Sequence, residues 1–314
     1  MSLSLSLLYL IGILIGYFII YTRTQTLSIS RLRENGLQNL RPLRKLLEYI
    51  PQHRGMANAL LQGDNSFKDK LNTLAQKINV EIKNISELVG KNDKLNIEDK
   101  VKKTEQQWNF IYQNLSQRQA SDSFELHTEL VKNILFLIHD IAETSRILKS
   151  QDITYTKLAN VALRKLPLVT EMLGQARGMG TGVAARGQCD ANMRVKLTYL
   201  LNTTRQITYE ANEDIDSVIN NKVLKQQNDK QATEYFLNSL ENNIINTDTI
   251  GLSSTDYYDA GTDAIQHTFE LLDNIIQHMQ TNLQNHIVIL SRKIFILRIT
   301  VMGITIVISY FYFF

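Results

Sequence analysis

Two short stretches of the sequence carry the same chemistry. Gln52-His53-Arg54-Gly55-Met56 returns as Gln175-Ala176-Arg177-Gly178-Met179, an offset of 123 residues (177 − 54). A guanidinium presents a planar fork of donors, which suits flat oxyanions such as nitrate, nitrite or a carboxylate. The glycine after each arginine is costly inside a helix, roughly 0.5–1 kcal/mol relative to alanine. Two such costs point to the close approach of another helix or to room for a ligand. Gly174, Gly178, Gly180 and Gly182 leave one face of the second copy nearly bare. If the halves that carry the copies pack together, Arg54 and Arg177 converge. An anion between them then offsets the cost of burying two cations. Gly55 and Gly178 supply space in this reading, and His53 can add a donor. The plainer alternative is that each arginine pairs with a nearby carboxylate, Glu48, Glu171 or Asp140, and only fastens the helices. The residues alone leave both readings open.

Other chemistry finds little support. The six histidines, His53, His127, His139, His267, His278 and His286, include no H-x-x-x-H pair with an accompanying Glu, so no zinc hydrolase is expected. His139-Asp140 reads as an ordinary bundle pair. The single cysteine, Cys189, excludes an intramolecular disulfide and a multi-cysteine metal site. No phosphate loop of the G-x-x-x-x-G-K-[ST] type and no G-x-S-x-G elbow is present. Gly178 to Gly182 lacks the preceding strand that a phosphate loop needs. Tyr209, Tyr257 and Tyr258 read as packing residues, and the mixed charges from Lys91 to Lys103 as a solvated face. The chain is therefore expected to be no enzyme, with no metal and no cofactor. Lys and Arg total 34 against 31 Asp and Glu, a net charge of +3, which argues against a nucleic-acid partner.

The elements that must position these residues are helices. Three prolines and 14 glycines in 314 residues are too few for a turn-rich sandwich or barrel. Apolar residues recur at helical spacing in Leu43, Leu46, Leu47, Ile50, again in Leu130, Ile134, Leu137, Ile138, Ile141, and again in Phe269, Leu272, Ile275, Ile276, Met279, Leu283. Breaks fall at Gly63-Asp64-Asn65-Ser66, Gly90-Lys91-Asn92-Asp93, Ala120-Ser121-Asp122-Ser123, Gln151-Asp152, Gly187 to Asp190, and Gly251 to Asp256. The pattern predicts an all-α protein: a long antiparallel bundle of about eight helices in two four-helix halves, about 23–150 and 151–293.

Both ends read as membrane segments. Residues 1–22 contain no charged side chain, and Leu3 to Tyr21 covers about 28 Å at the helical rise, close to a bilayer core. A cleaved signal peptide is disfavoured by the length of the run and the lack of a basic start. Residues 294–314 form the second expected span, with Arg298 near its start and aromatic residues from Tyr310 onward. The lipid bilayer is thus an expected partner, and 23–293 the domain between the spans. Arg23, Arg31, Arg33, Arg292 and Lys293 flank the spans on the domain side, which favours a cytoplasmic domain; the rule is weak for so long a segment.

At this point a resemblance enters. The segment from Ile50 to Gly63 resembles the nitrate- and nitrite-sensing (NIT) family. So do Ala142 to Asp152 with Leu166-Pro167 and Leu173 to Gly180, and Thr255 to Ile265; Trp108 also falls where such domains often carry one. The likeness spans roughly 50–310. It implies a helical sensory domain between two membrane helices, periplasmic on a bacterial inner membrane, that binds a small inorganic anion and signals by helix displacement, usually as a homodimer. Arginines of the first and middle helices bind the anion in the family, which carries over to Arg54 and Arg177. A later arginine of the family pattern has no counterpart, since none lies between Arg205 and Arg292. In the family the second span leads to a cytoplasmic output module, so the resemblance implies either a truncated receptor or a stand-alone sensor that acts through a signalling partner. The alternative is a non-catalytic, membrane-tethered scaffold that docks a partner protein.

Overall fold

The computed structural model describes residues 3–90, 95–218 and 230–313. Among these the protein is all-helical, with no strand. In chain order the helices are α1 (Leu3–Leu61), α2 (Lys68–Gly90), α3 (Glu98–Gln113), α4 (Ala120–Thr144), α5 (Ile153–Asn160), α6 (Leu166–Arg186), α7 (Ala191–Val218), α8 (Lys230–Leu240) and α9 (Ser254–Phe313). Two compact units result: Gly36–Met279, and Met1–Asn35 with Gln280–Phe314. Helices α1 and α9 contribute residues to both.

Local chemistry sets the ends of these helices. Gly63 stops the chain after α1 with φ of +104°, and the Asp64 carboxylate accepts from the Ser66 backbone N–H at 3.0 Å. Asp152 caps α5 by accepting from the Tyr155 N–H at 3.1 Å. Gly187 closes α6 in the left-handed region, φ +68°. The break expected at Ala120 to Ser123 lies just before it, because α4 already begins at Ala120. Of the break expected at Gly90 to Asp93, residues 91–93 lie outside the described residues. Between α5 and α6 the chain does not break. Val161–Lys165 forms one π turn, two residues ahead of Pro167. Proline lacks an N–H and its ring crowds the carbonyl four residues back, so a widened turn there keeps the helix continuous.

In the larger unit, successive helices pack as hairpins: α2 on α3, α3 on α4, and α6 on α7. One core layer joins Val169, Leu173 and Ala176 of α6 to Leu197 and Leu201 of α7, Phe236 and Leu240 of α8, and Tyr257 and Ala264 of α9. Another holds Ala57, Leu71 and Leu115. Trp108 is fully buried, and its indole N–H donates to Asn79 Oδ1 at 2.7 Å.

In the smaller unit, Leu27 packs with Leu290 and Ile294. An apolar groove is lined by Tyr9, Ile299, Gly303, Ile304 and Val307. Among the described residues one helix, α1 from Tyr9 onward, is long and apolar enough to cross a membrane. The second expected span, 294–314, is not matched by a second such helix.

The bare face of α6 serves a specific contact. A Cβ at Gly180 would collide with the Tyr257 ring, whose hydroxyl donates to the Ala176 carbonyl at 3.1 Å. Gly182, by contrast, faces only the flexible end of Arg186 at 3.5 Å. Gly180→Ala should therefore destabilise the fold by about 1–3 kcal/mol through overpacking. Gly182→Ala should be neutral, or stabilising by up to about 1 kcal/mol of helix propensity. Denaturant midpoints of the two variants test this; equal midpoints would contradict the packing argument.

Candidate functional site

The two repeated stretches lie where the sequence places them, well inside helices: Arg54 near the end of α1 and Arg177 in the middle of α6. Both side chains are buried, at 2% and 8% exposure. Their partners differ. The Arg54 fork faces Glu171 of α6, with Nη1 to Oε1 at 2.6 Å and Nη2 to Oε2 at 3.3 Å. Nη1 also donates to Thr128 Oγ1 of α4 at 2.9 Å, and the guanidinium stands 4.8 Å from the centre of the Phe124 ring. Glu171, itself 6% exposed, accepts from Gln175 Nε2 at 2.7 Å.

Arg177 has no carboxylate partner among the described residues. Its Nη1 donates to Thr262 Oγ1 of α9 at 2.8 Å, and its guanidinium lies 4.7 Å from the centre of the Tyr258 ring. Gly261 makes this possible, since a Cβ there would sit 2.8 Å from Arg177 Cγ and 2.9 Å from Phe236 Cε2. Burial pushes the Arg177 guanidinium below its ordinary value, Tyr258 acts in the opposite sense, and the Arg54 charge lowers it further. The two repeated arginines thus act on one another electrostatically.

The rest of the candidate set divides. Glu171 and Arg177 each lie one i,i+3 step from Gly174 on α6, but six residues apart they point to different neighbours, Glu171 to Arg54 of α1 and Arg177 to Thr262 of α9. The missing side chain of Gly174 leaves Arg54 Nη2 3.5 Å from where a Cβ would stand. Gly178 borders the Phe124 ring, with Cε2 3.9 Å from its Cβ position. Gly55 is exposed, with nothing within 4 Å, and is not drawn into the cluster. His53 turns to a different partner. Its Nδ1 is 2.8 Å from His127 Nε2, and the His127 Nδ1 is 2.6 Å from the Ser123 carbonyl. A carbonyl can only accept, so His127 carries its proton on Nδ1 and its Nε2 accepts from His53. That assignment leaves His53 Nε2 a bare lone pair, buried and without a hydrogen-bond partner. The Trp108 ring meets the His53 ring edge-on at 4.9 Å.

Of the acids proposed as alternative partners, Glu171 takes Arg54, whereas Glu48 pairs with Arg44 and Asp140 with Lys100. His139 accepts from Arg164 Nε at 3.3 Å, so His139 and Asp140 serve separate contacts. Tyr257 packs as expected and Tyr209 is exposed; Tyr258, read as a packing residue, faces Arg177. Thr128, Phe124 and Thr262 were not singled out in the sequence, and His127 was named only among six scattered histidines. Among the described residues no group of acids, histidines or cysteines is arranged to hold a metal.

The fold and this centre define a strand-free helical domain with two buried arginines, one neutralised and one not. The sequence model of a family described as nitrate and nitrite sensing matches residues 45–280, about three quarters of the chain. The chain therefore belongs to the NIT family. A solved structure of the NasR transcription antiterminator is similar in fold, with a TM-score of 0.67 and 13% identity, covering 93% of this chain and 81% of that one. None of the curated proteins compared matches the chain.

The histidine pair has a consequence for stability. Burial lowers the pKa of His53 from 6.5 to about 3, helped by His127. It lowers that of His127 to about 4, with the Ser123 carbonyl opposing and the Arg54 charge adding to the fall. Below pH 6.5 the unfolded chain takes up two protons that the folded chain refuses. The contribution of the pair is therefore intact above pH 6.5 and declines as the pH falls toward 4. The slope approaches about 2.7 kcal/mol per pH unit near pH 5, from two protons at about 1.36 kcal/mol each. Unfolding free energies measured from pH 7 to 5 should show it, and His127→Gln should cut the slope to about half. A flat profile over that range would mean that the histidines are not buried neutral.

Proposed function

We propose that the chain senses a small planar monoanion of the nitrate or nitrite class, held at the centre of the helical domain with Arg177 as its principal anchor. The observation that carries this reading is the charge count. Arg54 and Glu171 cancel, and Arg177 remains a buried cation that, among the described residues, meets a hydroxyl and an aromatic face. An uncompensated buried charge is costly, so an anion that supplies in-plane oxygens to the guanidinium is favoured there. Membership of the NIT family supports the same ligand class. Arg54, His53, Gly55 and Gly178 are the further candidates, of which Arg54 and Gly178 are nearest the centre.

In this proposal the bilayer anchors the chain. Tyr9, Leu10, Ile11, Leu14, Ile15, Tyr17 and Phe18 of α1 are exposed, as are Ile296, Ile299, Met302, Ile304 and Ile306 of α9. Lipid is the solvent that suits such surfaces. Helix α1 carries Arg54 and α9 carries Tyr258 and Thr262, and each runs unbroken into the apolar ends. Binding at the centre is passed along these two helices to a signalling partner, with the domain on the periplasmic side of a bacterial inner membrane and the chain a homodimer. The scaffold reading draws on one observation, the carboxylate already paired with Arg54. A pair of this kind also fastens helices.

Ligand linkage separates the two. In the full chain in detergent, nitrate or nitrite at 100 times its Kd should raise the unfolding free energy by about 2.7 kcal/mol. Arg177→Ala should abolish the gain, and Arg177→Lys should lose most of it, since a point charge replaces the fork. If neither anion shifts the transition and both variants are merely less stable, the scaffold reading prevails.

A further inference from the structure

We infer that Glu171 is the chain's own occupant of the Arg54 fork, a carboxylate that an incoming planar anion displaces. This rests on the anion-sensing reading of the same centre. A carboxylate and a nitrite or nitrate ion offer a guanidinium the same thing: two coplanar oxygens and one negative charge. Glu171 fills the fork unevenly, one leg at 2.6 Å and the other at 3.3 Å. The remaining neighbours of the Arg54 guanidinium are neutral, the Thr128 hydroxyl and the Phe124 ring.

Glu171 also has somewhere to stay. Gln175, one turn along α6 and partly exposed, already donates to its Oε1 at 2.7 Å. When Arg54 turns to a ligand, the carboxylate keeps that bond. Arg177, six residues further along α6, faces Thr262 and Tyr258 of α9, and its charge and that of Arg54 act on each other, so a second positive charge favours an anion at the fork. The exchange has two effects. Apparent affinity is lowered by the fraction of molecules in which Glu171 holds the fork. Binding also replaces the direct tie between α1 and α6 with one through the ligand, and this gives helix displacement a cause. Glu171 is thus a positioning and specificity residue, not a ligand contact.

Isothermal titration of nitrate into the full chain in detergent tests this with two variants. Glu171→Gln keeps the shape and the Gln175 contact but removes the competing charge. It should bind nitrate at least about tenfold tighter than wild type while being less stable without it. Glu171→Asp keeps the charge on a shorter stem that cannot span the fork, and should bind tighter by a smaller factor. It decides the matter if Glu171→Gln does not fold. Equal or weaker nitrate binding by the folded variants overturns the inference and leaves the site reading in place. Failure of wild type and variants alike to bind nitrate overturns both.

Discussion

The ion pair between Arg54 and Glu171 is the constraint to which the rest of the helical domain is fitted. Both groups are withdrawn from water, which costs several kcal/mol for each charge unless the geometry and the added hydrogen bonds are good. The chain meets that demand from three helices: α1 brings the cation, α6 the anion and Gln175, and α4 the Thr128 hydroxyl and the Phe124 ring. Removing either partner would strand the other, so the pair ties α1 to α6. A tie of that kind is strong against loss of one member and yet open to exchange for a group of equal charge and shape.

Close approach of α6 to its neighbours is the second requirement, and it explains the glycines better than flexibility does. Gly174 leaves room beside Arg54 Nη2, Gly180 takes the Tyr257 ring, and Gly261 on α9 admits the stem of Arg177. Each missing side chain gives up helix propensity so that a long or flat side chain can lie against backbone. The π turn before Pro167 belongs to the same economy, for it lets α5 and α6 run on as one rod that carries Glu171 and Arg177 at fixed spacing.

Much of this was legible in the sequence, and the illegible part has a physical cause. Helix stops at Gly63, Asp152 and Gly187 could be read because caps and left-handed glycines act within a few residues. The repeated Arg-Gly-Met could be read because it is contiguous. The partners could not. Glu48 and Asp140 were as plausible as Glu171, and the choice among them depends on which helix faces which, a matter settled 117 residues away from Arg54. His127 lies 74 residues from His53, and its role as acceptor follows from a tautomer fixed by the Ser123 carbonyl. Tyr258 looked like a packing residue because an aromatic ring at a helix start has the same pattern whether it meets aliphatic groups or a guanidinium.

The two copies of the repeated element are no longer equivalent, and the difference bears on what the centre can accept. The first arginine has a carboxylate from the other half of the chain; the second has Thr262 and Tyr258, both neutral. Two cations against one anion leave a net charge of +1, which one monoanion balances. A dianion would overshoot and bury an excess negative charge, with the same penalty in the opposite sign. The α9 residues near Arg177, Thr262 and Tyr258, supply a hydroxyl and a π face. Neither group adds a charge, so under the proposed function the centre favours a singly charged ligand. Charge, more than size, is therefore the filter that this arrangement of residues imposes on the proposed ligand.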